Sequence, residues 1–295
     1  MTPPTPTSSP TYFGDSPAMR LFRLGLGASQ RLWPSLAVRA AYRLFGTPLP
    51  ARPLRGLSRQ RSWPAGWQVE RWPFERAGLT LYTQAATGPV VLLVHGWGGH
   101  AGQMLALAEV LRAQGLQPVM VDMPAHGRSS GAVSNLPQFA RAVEYLAARL
   151  QQQGHPLHAV VAHSLGANAA AYAISRGLRP QRLVMLAPPA SPHEYTRLFA
   201  RMFGLSEATR AALQQRVEAR EGILMPQFEP QAVGPRIPVP TLVVHDRGDR
   251  INRFADGQAY SRAITGAQLL ATEGLGHAKI LKDEQVLAEV ARFVA

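Results

Sequence analysis

The sequence predicts an α/β fold: a mostly parallel, eight-stranded sheet flanked by helices, with a small helical cap and a basic helical arm at the N-terminus. Three observations predict it. Eight short apolar runs lie between residues 68 and 272. From the third run onward, most alternate with segments of helical spacing, the grammar of a sheet covered on both faces. The polar residues suited to chemistry fall just past the C-terminal ends of these runs, where open parallel sheets place their sites.

The elements follow in order. Residues 2–17 are a Pro/Thr/Ser tract with little to bury, so a disordered tail is expected over 1–18. Met19 opens a stretch in which Leu21, Phe22, Leu24, Leu32, Trp33, Leu36, Val38, Tyr42, Leu44 and Phe45 stand among arginines at loosely helical spacing. Pro34 divides it into two helices, because proline fits the first position of the second. A Pro- and Arg-rich linker over 46–64 completes an arm-and-linker region, 19–66.

The main domain is expected over 67–295. Its strands are Gln68–Phe74, Leu79–Gln84, Val90–His95, Gln117–Met123, His158–Ala162, Arg182–Leu186, Pro240–His245 and Ala267–Thr272, the first two forming a hairpin. Its helices are Gly102–Gln114, Pro137–Gln153, Leu165–Arg176, Phe254–Ile264 and Glu284–Val294. Residues 191–235 break the alternation and read as a helical cap inserted at the end of a strand. Phe199, Met202 and Phe203 share one face of it, which either lines an apolar acyl pocket or packs on the domain.

Composition narrows the function classes. An apolar fraction of 46% over 295 residues supports a sizeable core. The absence of cysteine excludes a disulfide framework, a Cys-ligated zinc site and a thiol nucleophile. The longest aliphatic run, Val90 to Val94, cannot span a bilayer. The first 18 residues hold no basic residue and no apolar core, so a cleaved leader is not expected. The expected location is cytoplasmic, or peripheral on a membrane. The net charge of +13 is uneven: residues 1–64 hold nine Arg and one acid, +8, which leaves +5 for the other 231. Because those arginines stand among Leu and Phe at helical spacing, residues 19–64 suit an anionic membrane surface or packing on the body, and nucleic acid is not an expected partner.

The chemistry begins at Ala162-His-Ser164-Leu-Gly166, which follows an apolar run and opens an Ala-rich helix. A serine at a tight strand-to-helix turn is pushed outward above the sheet, with small residues two before and two after it where helix and strand cross. The alternative is an ordinary serine N-cap. His95-Gly-Trp97-Gly-Gly99 follows a neighbouring run. It can supply a backbone N–H from Trp97, with a second from Leu165, to a developing oxyanion. A phosphate loop is excluded because no Gly-Lys-Ser/Thr follows, and a dinucleotide fingerprint fails at Ala101. A serine nucleophile needs a base and the base an orienting acid. Asp249 follows the seventh run and His277 the eighth. His95, His100, His126 and His163 stand on separate loops without ligand spacing, so no metal and no cofactor are expected.

These stretches resemble the α/β-hydrolase fold from about residue 67 to the C-terminus. The resemblance rests on Val94–Gly99, Asp122–Ser129, the turn at 162–166, Val243–Asp249 and Gly276-His277, in that order. Within that fold the chain is similar to bacterial serine hydrolases of the monoacylglycerol lipase and small-esterase kind. The resemblance implies Ser164 as nucleophile, His277 as base and Asp249 as acid, acting on a small-molecule ester with an apolar acyl group. The same residues would serve a thioesterase, amidase or acyltransferase, and a binding protein on this fold is the non-catalytic alternative. Two departures stand out. Ala162 replaces the first glycine of the turn, and Asp246 adds a second carboxylate near the acid position.

Overall fold

In the computed structural model of the chain, residues 17–48 and 63–295 are described. The expected tail, except residues 17 and 18, and most of the expected linker therefore lie outside the described residues. The chain divides into two units, one of residues 17–45 with 193–222 and one of Gly46–Pro192 with Ile223–Ala295.

The larger unit is built on one sheet of eight strands in the order β1-β2-β4-β3-β5-β6-β7-β8. β1 (Gln68–Phe74) and β2 (Ala77–Thr83) form the expected hairpin, and β2 also runs antiparallel to β4 (Gln117–Asp122). β4, β3 (Val90–Val94), β5 (Leu157–His163), β6 (Arg182–Leu186), β7 (Thr241–Asp246) and β8 (Gln268–Thr272) are parallel. Every residue of β3 and of β7 is buried, which requires cover on both faces. Along β3 and its neighbours, alternate residues such as Val91, Leu93, Val161, Val184 and Val244 join one apolar cluster. The helices α3 (Leu105–Ala113) and α9 (Glu284–Val294) pack into it through Leu107, Leu111, Val286 and Val290. α4 (Leu136–Gln152) packs against α5 (Leu165–Ser175), whose first ten residues are all buried. α8 (Phe254–Ala263) follows β7 and packs beside it.

The smaller unit contains α1 (Pro17–Leu32), α2 (Pro34–Phe45), α6 (Pro192–Phe203) and α7 (Glu207–Glu221). Pro34 opens α2, where its missing N–H costs the helix nothing. Phe22 meets Phe203 edge-on at 6.0 Å, and Phe45 meets Phe199 at 5.2 Å. Arg23 Nε donates to Met202 O at 2.8 Å. Gln30 spans the turn between α6 and α7, donating to Gly204 O at 3.2 Å and accepting from Ser206 N at 2.7 Å. The guanidinium groups of Arg216 and Arg220 lie 5.6 and 5.7 Å from the Tyr42 ring centre.

The face carrying Phe199 and Phe203, which the sequence leaves open between an acyl pocket and packing, is met by the Phe22 and Phe45 rings of the arm. The expected cap, 191–235, is divided between the two units. Residues 193–222 group with the arm, whereas the chain from Ile223 belongs to the larger unit. There the Phe228 ring lies 4.2 Å from that of Tyr172, and Tyr260 Oη donates to its carbonyl. The physical reason is the side chains: Met225, Phe228 and Val233 are buried, while α6 offers its aromatic face to α1 and α2.

Candidate active site

The site lies at the C-terminal edge of the sheet in the larger unit. Ser164 stands between β5 and α5 with φ 52° and ψ −125°, a left-handed conformation that is strained for a residue with a side chain. Its neighbours hold it there. Ser164 N donates to Leu186 O at 2.8 Å, extending the β5–β6 ladder into the turn. A Cβ on Gly166 would come 2.6 Å from His95 O, so only glycine lets α5 cross the end of β3. Ala162 is fully buried and is accommodated in place of the usual glycine.

The loop after β3 passes directly against this turn. A Cβ on Gly96 would lie 2.8 Å from Ser164 Cβ, which puts the backbone leading into Trp97 beside the serine. Three side chains brace this loop. His95 Nδ1 donates to Gly96 O at 2.7 Å while its Nε2 accepts from Met123 N at 3.0 Å. His126 Nε2 accepts from Gly98 N at 3.0 Å. The Asp122 carboxylate accepts from Ala101 N, Tyr82 Oη and Arg128 N, each at 2.7 Å. Burial pushes the His95 imidazole down to about 4, so it is neutral at pH 7 and keeps this one tautomer. Leu165 opens α5, so its amide has no partner within the helix.

Asp249 and His277 meet. His277 Nδ1 donates to Asp249 Oδ2 at 2.7 Å, while Asp249 Oδ1 accepts from Ile251 N at 2.7 Å and Asn252 N at 3.1 Å. Burial works to raise this carboxyl, but the bond and charge of His277 and the two amides outweigh it and leave it below the ordinary aspartate value. Asp246 is used differently. Its Oδ1 accepts from Gly248 N at 2.9 Å, and its Oδ2 from Thr272 Oγ1 at 2.8 Å and Leu275 N at 3.0 Å. It ties the end of β7 to the loop after β8, and these partners include no histidine.

Three further residues belong to the site. His163 Nε2 donates to His277 O at 3.0 Å, and the two rings lie 4.6 Å apart. Burial, followed by the neighbouring His277, pushes His163 down to about 3, which keeps it neutral. His245 is fully buried, donates from Nε2 to Asn252 O at 3.1 Å and stands 3.6 Å from Asp249 Oδ2. Asn252 Nδ2 donates to Ala187 O at 2.7 Å and to Ser164 Oγ at 3.3 Å, linking the acid loop to the serine. Asn252 and His245 escape sequence reasoning. The one signal was their place, three residues after and four before Asp249.

Residues 85–226, just under half of the chain, match a hydrolase family model described as serine aminopeptidase, S33. No curated protein matches the chain significantly. Among solved structures, the esterase Pf2001 of Pyrococcus furiosus is 17% identical with a TM-score of 0.61, covering 79% of this chain and 95% of that one. The chain has the α/β-hydrolase fold. A hydrolase from Pseudomonas aeruginosa PA01 shares it at 20% identity and TM-score 0.61, covering 79% and 100% of the two chains. A membrane phospholipase A, described as a bacterial virulence factor, is 17% identical with a TM-score of 0.60 and covers 93% of this chain and 98% of its own. In this fold the larger unit brings together the serine turn, the glycine-rich loop and the Asp–His pair.

Proposed function

We propose that this α/β-hydrolase cleaves carboxylic esters through an acyl-enzyme on Ser164. One observation carries the reading: His277 is bonded to Asp249 and tethered through its carbonyl to His163, the residue next to the strained Ser164. Ser164 Oγ attacks the ester carbonyl as His277 Nε2 takes its proton. Asp249 holds the Nδ1–H tautomer and stabilises the imidazolium. The Trp97 and Leu165 amides bind the oxyanion, and His277 returns the proton to the departing alcohol. Water then repeats the sequence on the acyl-enzyme, releasing the acid and restoring Ser164. The substrate class is a small-molecule ester with an apolar acyl group.

A fluorophosphonate probe tests this directly. Wild-type protein should be labelled at Ser164, and Ser164→Ala and His277→Ala should be labelled little. In parallel, a panel of nitrophenyl esters, thioesters and amides should show esters cleaved fastest. Labelling of Ser164→Ala at the wild-type rate would refute the nucleophile assignment. Amide cleavage faster than ester cleavage would refute the substrate class.

A further inference from the structure

The outward side of the arm has no part in that chemistry. In α1 the residues that face α6 and α7 are Phe22, Arg23 and Gln30, with Leu26 buried among them. At 100° per residue these share one side of the helix. The other side carries Leu21, Leu24 and Leu32, which are 72%, 70% and 65% exposed. Trp33, between the two helices, and Leu36 in α2 are exposed as well. Single exposed apolar side chains are ordinary, but three leucines so exposed on one side of a helix are not. Arg20, Arg31 and Arg39, all exposed, flank it. Residues 17–48 contain five arginines and no acid.

We infer that this face docks the protein on an anionic lipid surface. α1 and α2 lie in the interface, the leucines and Trp33 enter the acyl boundary, and the arginines sit among headgroup phosphates. Charge complementarity selects the occupant. A second copy on the same face would set arginine against arginine across a two-fold axis. A nucleic acid would leave the leucine row in water. Among the described residues no helix is long and apolar enough to cross a membrane. Because Phe22, Arg23 and Gln30 already fix α1 to α6 and α7, the face is presented without further ordering.

Sedimentation of the full chain with vesicles tests it, using phosphatidylcholine with and without phosphatidylglycerol. Wild type should pellet with the anionic vesicles, stay in solution with the neutral ones, and release at high salt. Arg20→Gln with Arg31→Gln should weaken binding about 25-fold, roughly fivefold per arginine. Leu21→Ser with Leu24→Ser should weaken it at least as much. Both variants should keep the wild-type circular dichroism and the wild-type rate on a soluble nitrophenyl ester. The inference is overturned if wild type ignores anionic vesicles, pellets equally with neutral ones, or binds as tightly after either double substitution. Dimerisation or DNA retention through these residues without vesicle binding overturns it as well.

Discussion

Asp249→Asn should cost turnover, whereas Asp246→Asn should cost stability. In Asp249→Asn the side-chain oxygen can still accept from the Ile251 and Asn252 amides, which leaves the amide nitrogen facing His277 Nδ1 at the 2.7 Å position. Two donors cannot share that line. Nδ1 must become the acceptor, and the ring proton moves to Nε2, the nitrogen required to accept the Ser164 proton. The wrong tautomer in a Ser-His-Asp triad lowers kcat about 10⁴-fold, roughly 5.4 kcal/mol of barrier. In Asp246→Asn the amide nitrogen must face either Gly248 N or the pair Thr272 Oγ1 and Leu275 N. At least one buried bond is lost, about 1–3 kcal/mol of stability, while turnover of the folded protein should stay within about tenfold. The assay is kcat on a soluble nitrophenyl ester beside urea unfolding of each variant. If Asp246→Asn loses more turnover than Asp249→Asn, the acid is Asp246 and the reasoning fails.

Two further outcomes follow from burial. His95 and His163 are held down to about 4 and about 3, so below their ordinary 6.5 the unfolded chain binds protons that the folded one refuses. Stability should therefore fall with pH between about 6.5 and those values, by up to about 1.4 kcal/mol per pH unit for each histidine. The lowered Asp246 and Asp249 add their loss only below their ordinary 3.8, as pH falls through their folded values. A urea midpoint that stays flat from pH 6.5 to 5 would contradict this. In the smaller unit, Phe203→Ala removes the ring that meets Phe22 and should destabilise the arm's docking by about 3 kcal/mol. Trypsin should then cut at Arg31 and Arg39 faster than in wild type, and an unchanged cleavage rate would show that the ring does not hold the arm.

All eight strands were legible because their signal is local. Buried parallel strands read as apolar runs: β3 is one throughout, and β5 and β7 carry them at Ala159–Ala162 and Leu242–Val244. Ser164 was legible for a related reason: a small-x-Ser-x-small turn is a steric statement, and the close approaches at Gly166 and Gly96 are its physical content. The aromatic face of α6 was not decided by sequence. Phe199 and Phe203 recur at the same interval whether they meet substrate, sheet or another helix, and only the fold shows that Phe45 and Phe22 are their partners. Asn252 was hidden because a loop polar residue has no period, and its role comes from Ala187 and Ser164, 65 and 88 residues away.

His245 shows how burial shapes the proposed chemistry. It stands 3.6 Å from the same Asp249 oxygen that accepts from His277, so as an imidazolium it would compete for that carboxylate. Burial prevents this by pushing its pKa down, against the opposing pull of the Asn252 carbonyl and Asp249. A neutral His245 donates its one N–H to Asn252 O and leaves the carboxylate charge uncompensated from that side. His163 is neutral for the same reason and donates its N–H to the His277 carbonyl. Two histidines thus hold backbone in place around the third without carrying charge. Of the three, His277 is the one whose side chain is partly exposed, and its Nδ1 makes the 2.7 Å bond to Asp249 on which the proposed role of the pair rests.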